Sequence, residues 1–169
     1  MKTLYLIRHA KAAIEARKEK DMDRPLLAKG LKSTRYIIDF LNDNHAVVDH
    51  IMTSPAKRAY ETACIFAHAL NFPSENIKIE RAIYSGDADK IADLFYDLSK
   101  KIEKLMIVGH NPSITNFANL FLPEPIDYLP TSGLVCIEFD TNLWDKIWEA
   151  KIITNFVITP SILKREEGE

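Results

Sequence analysis

Only two cysteines, Cys64 and Cys136, occur in the 169 residues. Each stands inside an apolar stretch, so both read as small buried hydrophobes, not as a disulfide framework, and a reducing compartment suits them. Neither charge sign is in excess: 22 basic against 24 acidic residues leave a net charge of −2. That gives no broad basic field, which disfavours a nucleic-acid partner while leaving room for a small cationic pocket. Long apolar runs are also missing. The opening Leu4 to Ile7 is interrupted by Arg8-His9, too soon for a signal peptide or a membrane span, so no membrane partner and a cytoplasmic location are expected. His45, His50 and His68 have no motif around them, and no histidine pair stands at i, i+4 with a carboxylate; no metal and no cofactor is therefore expected. No internal repeat or low-complexity segment stands out. What is present is ordinary for a globular protein, with 47% hydrophobic and 27% charged residues, and the length fits one domain, placed at 1–160 with a frayed tail at 161–169.

Short apolar runs alternate with helical stripes. Leu4 to Ile7, Asp49 to Thr53, Ile77 to Glu80 and Leu105 to Val108 read as buried strands. Between them, Leu27, Leu31, Thr34, Ile38 and Leu41 form one helix face, Ala59, Thr62, Ala63, Phe66 and Leu70 a second, Ile91, Leu94, Phe95 and Leu98 a third, and Ile114, Phe117, Ala118 and Phe121 a fourth. Ser54 as N-cap and Pro55 at the first helical position suit a helix start. The charged stretch around Ala16 to Arg24 reads as a surface loop or helix. Gly133 to Asp140 and Lys146 to Ile153 read as a hairpin turning at Thr141 to Asp145, with Trp144 and Trp148 as packing between the last strands. This alternation predicts a three-layer α/β/α sandwich with a mainly parallel sheet and a C-terminal hairpin.

Three of the strands end in polar residues: Arg8-His9, Ser54-Pro55 with Arg58, and Gly109-His110. Parallel strands bring such ends together. The set holds two arginines, two histidines and no carboxylate, which suits a tetrahedral dianion, with phosphate the obvious ligand. Arg8 and Arg58 can grip phosphate oxygens bidentately and stay charged at any working pH. A histidine flanked by cations is held neutral and therefore nucleophilic, so His9 or His110 can attack.

Leu6-Ile7-Arg8-His9-Ala10 resembles the Arg-His-Gly/Ala signature of the histidine phosphatase superfamily, the phosphoglycerate mutase-like fold. In the same order, Ser54-Pro55-Ala56-Lys57-Arg58-Ala59 with Thr62 resembles that family's Ser-Pro-x-x-Arg-Ala-x-x-Thr segment, and Gly109-His110 its Gly-His segment. The resemblance implies that His9 is the phosphorylated nucleophile and that Arg8, Arg58 and His110 bind and polarise the phosphoryl group. Asp23-Arg24-Pro25-Leu26 with Gly30, then Ile83-Tyr84, and later Thr131-Ser132-Gly133, are similar to the SixA-type phosphohistidine phosphatase branch, which implies phosphate contacts from Arg24 and Ser132. Taken from the residues alone, Arg24 belongs to a solvated mixed-charge run and Thr131-Ser132 to a strand start. Many members of the superfamily carry a carboxylic acid shortly after the strand assigned to Ile77 to Glu80, whereas Ala82-Ile83-Tyr84-Ser85-Gly86 has none. Asp87 and Asp89 suit early-helix positions instead. The expected substrate is accordingly a phosphohistidine-bearing protein. The rival readings are a phosphatase of small phosphate monoesters and a phosphate-binding module without turnover.

Overall fold

The computed structural model describes residues 1–14 and 20–168. Its centre is the strand β1 (Lys2–Arg8), whose side chains are buried in alternation on two faces. Leu4 and Leu6 enter one core, Tyr5 and Ile7 the other. That division follows from the two-residue period of a strand. β2 (His50–Thr53), β3 (Lys78–Ile79) and β4 (Lys104–Gly109) pair in parallel, with β4 against β1 and β2 against both β3 and β4. β5 (Leu134–Phe139) and β6 (Ile152–Ile158) complete the sheet antiparallel, giving the order β3-β2-β4-β1-β5-β6.

Helices cover both faces, the three-layer sandwich expected from the alternation. One layer holds α1 (Ala28–Asp43) and α2 (Lys57–Ala69), which bury Ile37, Leu41, Ala63 and Phe66 against Tyr5, Ile7, Met106 and Val108. The other holds the short α3 (Arg81–Ser85), α4 (Ala88–Asp93) and α5 (Ser113–Asn119), where Phe95, Ile114 and Phe117 pack on Leu4, Leu6 and Ile107. Asp87 caps α4 by accepting from the Lys90 backbone N–H, the early-helix role its position suggested.

Five local expectations are corrected. The buried stripe of α1 centres on Ile37, with Ile38 half-buried at its edge, and Leu31 is exposed. Only Lys78 and Ile79 of the third predicted strand pair with a neighbour. The helix after β2 starts at Lys57 with Ala56 before it, because the Ser54 hydroxyl accepts from Ala56 N–H and bonds to His110 instead of capping a helix. The last strand begins at Ile152 and not at Lys146, since Trp144 is fully buried, donates its indole N–H to Ile102 O at 2.8 Å and sits edge-on to Phe95. Burial of Trp144 and Ile147 folds the chain between them into a 3-10 turn (Trp144–Lys146) and out of the sheet. From Pro160 the tail forms helix α6 (Pro160–Glu167), whose first turn Thr159 caps and whose Leu163 packs beside α1. Residues 15–19, part of the charged run, lie outside the described residues. No helix among the described residues is long and apolar enough to cross a membrane.

Candidate active site

The parallel register places the ends of three strands level, with Arg8 opposite Gly109 and Thr53 opposite Val108. The chain beyond each end is tied down by backbone bonds. His9 N–H donates to Gly109 O at 3.0 Å and Ser54 N–H to Val108 O at 3.2 Å. On the other flank Ser132, in the left-handed region at φ 60°, turns its N–H onto the carbonyls of Arg8 and His9. Thr62 closes the frame from α2: its hydroxyl donates to Arg58 O and accepts from Ala10 N–H. The topology therefore gathers Arg8, His9, Arg58 and His110 into one pocket, His9 and His110 with ring centroids 5.1 Å apart.

His9 is 7% exposed and its Nδ1 lies 2.7 Å from Ala10 O. A carbonyl only accepts, so Nδ1 carries the proton and Nε2 keeps its lone pair. Burial, reinforced by the charges of Arg58, Arg8 and Arg24 and opposed by the Ala10 bond, pushes the imidazole down to about 4. His110 is pushed down to about 3, again mainly by burial, then by His9 and Arg58, with Asp21 pulling the other way. Both rings are neutral near pH 7. His110 Nε2 meets Ser54 Oγ at 2.7 Å. Buried without a partner are His110 Nδ1, Arg8 Nε and Arg58 Nε. Unpaired buried donors on two guanidinium groups are costly unless an anion completes them.

A carboxylate does enter this pocket, from a place the motifs did not mark. Asp21, in a short 3-10 turn (Asp21–Asp23), accepts from Arg58 through Oδ2 at 3.0 Å, from Arg24 through Oδ1 at 2.9 Å and from the Tyr84 hydroxyl at 2.8 Å. Its carbonyl takes a further Arg58 N–H at 2.7 Å. Partial burial alone would raise its pKa, but the bonds from Tyr84, Arg24 and Arg58 outweigh it and hold the carboxyl at about 2. Tyr84 comes from α3, where the acid of other superfamily members was sought, and its ring stands edge-on to His110 at 5.6 Å. The mixed-charge run gave no periodic signal for Asp21. Tyr84 stood within the resemblance but without a role.

Arg24 is not a free surface arginine. Its Nε donates to Ala13 O and its Nη1 to Asp21, at the rim of the pocket. Ser132 is fully buried behind the pocket. Thr34 donates its hydroxyl proton to Gly30 O, so in the 2.8 Å contact between the two hydroxyls Ser132 must be the donor. Its backbone N–H holds the carbonyls of Arg8 and His9. Among the described residues no group of three or more His, Cys, Asp or Glu is placed to hold a metal ion.

The model of the histidine phosphatase superfamily (branch 1) matches residues 4–84. An uncharacterized protein of Picosynechococcus sp. is 33% identical over 115 residues, 68% of this chain and 70% of that one. The chain belongs to the histidine phosphatase superfamily. Within it, the phosphohistidine phosphatase SixA of Escherichia coli is 22% identical over 141 residues, covering 82% of this chain and 86% of the relative. The solved structure of the protein histidine phosphatase SixA complexed with tungstate shares the fold at a TM-score of 0.80 and 21% identity, over 95% of this chain and 99% of that one. The matched stretch contains Arg8, His9, Asp21, Arg24, Arg58 and Tyr84, while His110 and Ser132 lie beyond it.

Proposed function

We propose that this superfamily member is a phosphohistidine phosphatase, removing a phosphoryl group from a protein histidine through a covalent phospho-His9 intermediate. The observation that carries the reading is the neutral His9, its Nδ1–H held by Ala10 O and its Nε2 lone pair left free beside the unpartnered Nε groups of Arg8 and Arg58. In the first step the Nε2 lone pair attacks phosphorus as the bond from phosphorus to the substrate nitrogen breaks. The substrate imidazole, already protonated from solvent on its other ring nitrogen, keeps that electron pair and departs as neutral imidazole. In the second step water attacks phospho-His9, releases inorganic phosphate and returns His9 with its lone pair. Arg8, Arg58 and His110 stabilise charge on the equatorial oxygens in both steps, with Arg24 at the rim.

The substrate class follows from the leaving group. Asp21 is ionised from about pH 2 upward, so it offers no proton near neutrality. An alkoxide leaving group needs a placed acid, worth roughly 10²- to 10⁴-fold in rate; imidazole is a far weaker base and does without one. The free cysteines suit the reducing cytoplasm in which such a signalling substrate would be met.

The test is kcat/KM at one pH for phosphoramidate and a phosphohistidine protein against glycerol phosphate and a sugar phosphate. P–N substrates are expected to lead by at least about tenfold, with aryl esters between, since their leaving group also needs no acid. Equal efficiency on alkyl monoesters would refute the assignment and favour a small-molecule phosphatase.

A further inference from the structure

Beside the pocket the surface carries an unpaired positive cluster. Lys29 and Lys32 stand on successive turns at the start of α1, and Lys164 stands on α6; with Tyr36, Thr131 and Pro160 they line a groove of about 470 Å³ whose walls hold no carboxylate. Lys11 adjoins it, since Lys29 is close enough to hold the Lys11 ammonium below its ordinary value. None of the ion pairs among the described residues involves Lys11, Lys29, Lys32 or Lys164. Like charges gathered in one groove without an ion pair among the described residues repel one another.

The groove is built onto the frame of the active site. Lys11 lies two residues beyond His9, and its carbonyl accepts from Leu27 N–H. Gly30 of α1 lies so close to that carbonyl that a Cβ there would stand 2.5 Å from it. Thr131 precedes the residue whose N–H holds the Arg8 and His9 carbonyls. Because Leu134 pairs with both Ile7 and Ile158, β6 ends level with the catalytic end of β1, and α6 starts at that edge. The lysines therefore border the mouth of the pocket and contribute nothing to its interior.

We infer that the groove of Lys29, Lys32 and Lys164, extended by Lys11, is a docking surface for an acidic face of the phosphoprotein whose phosphohistidine enters the pocket. This rests on the phosphohistidine reading above and adds to it the charge of the substrate surface. A short acidic patch fits better than a long polyanion, which in passing over Lys32 would meet Asp39 and Glu167 in the adjoining depression. The net charge of −2 likewise provides no wider field for nucleic acid.

The experiment compares binding of a fluorescein-labelled, glutamate-rich histidine peptide and its glutamine counterpart to the whole protein at low salt, by anisotropy. The Lys29→Glu, Lys32→Glu, Lys164→Glu triple variant runs in parallel. The wild type should favour the glutamate peptide by about tenfold, the preference fading as salt rises, and the triple variant should lose it. Phosphoramidate turnover, which needs no docking face, should be unchanged in the variant. Equal binding of both peptides to the wild type, or a preference surviving in the variant, would overturn the inference. So would tighter binding of polyuridine RNA or phosphatidylserine vesicles than of the glutamate peptide. Failure of the wild type to hydrolyse phosphoramidate would count against the phosphatase reading alone, leaving the peptide comparison to decide the docking surface.

Discussion

Replacing Asp21 by asparagine keeps the shape of the side chain and removes its charge. The native carboxylate accepts from Arg58, Arg24 and Tyr84, whereas an asparagine oxygen can satisfy one side only and its amide would turn a donor toward the other. Hydrogen bonds to a charged group are worth about 1.5–3 kcal/mol when buried. The Asp21 side chain is 36% exposed, so solvent screening reduces each to about 1 kcal/mol. The backbone carbonyl of Asp21 continues to hold one Arg58 N–H, so Arg58 loses its single bond to the carboxylate, about 1 kcal/mol of positioning or about fivefold in kcat. The effect on anion affinity has the opposite sign, because a negative charge next to the phosphate arginines is gone. Steady-state kinetics on phosphoramidate with tungstate inhibition separates the two: kcat for Asp21→Asn should fall about fivefold while the tungstate inhibition constant stays level or drops. A kcat within about twofold of wild type, or an inhibition constant rising in step with the loss, would refute the positioning argument.

Three further outcomes follow from the same geometry. His9 and His110 have folded pKa values lowered to about 4 and about 3, so the unfolded chain binds more protons between about pH 3 and pH 6.5, and stability must be lost as pH falls through that window. Thermal melts should show Tm dropping from pH 7 to pH 4.5 more steeply in the wild type than in a His9→Gln, His110→Gln double variant; parallel slopes would show that the two rings are not the groups responsible. Ser132→Ala should cost about 1 kcal/mol of stability through its lost bond to Thr34, with the tungstate inhibition constant unchanged, and a marked rise in that constant would restore the direct phosphate contact. Activity should persist in EDTA and be blocked by tungstate or vanadate, which take the place of the transferring group; loss in EDTA that zinc or magnesium restores would contradict this.

The central strands and the gathering of Arg8, His9, Arg58 and His110 at their ends were legible because each rests on a local signal. Leu4 to Ile7 and Leu105 to Val108 are apolar on both faces since helices cover both sides of the sheet, and Arg8-His9 and Gly109-His110 mark where those strands end. Asp21 was not legible. Its importance arises from bonds to Arg58, 37 residues along the chain, and Tyr84, 63 residues along, and a mixed-charge run shows no period that would reveal either. The contact of Ser132 with Thr34, 98 residues away, is likewise invisible to a local pattern. Trp144 shows tertiary burial overriding a strand-like pattern: the alternation around it is real, but one large ring in the core outweighs a few ladder bonds at an edge.

The central claim is that the phosphoryl group passes through His9. Brief incubation with radiolabelled phosphoramidate, followed by quenching in alkali and peptide mapping, tests it directly. The account predicts an acid-labile, alkali-stable label on the peptide carrying His9, absent from His9→Ala, which should also retain less than about one per cent of wild-type turnover. Label on a different residue, or rapid turnover by His9→Ala with no labelled protein at any time, would contradict it.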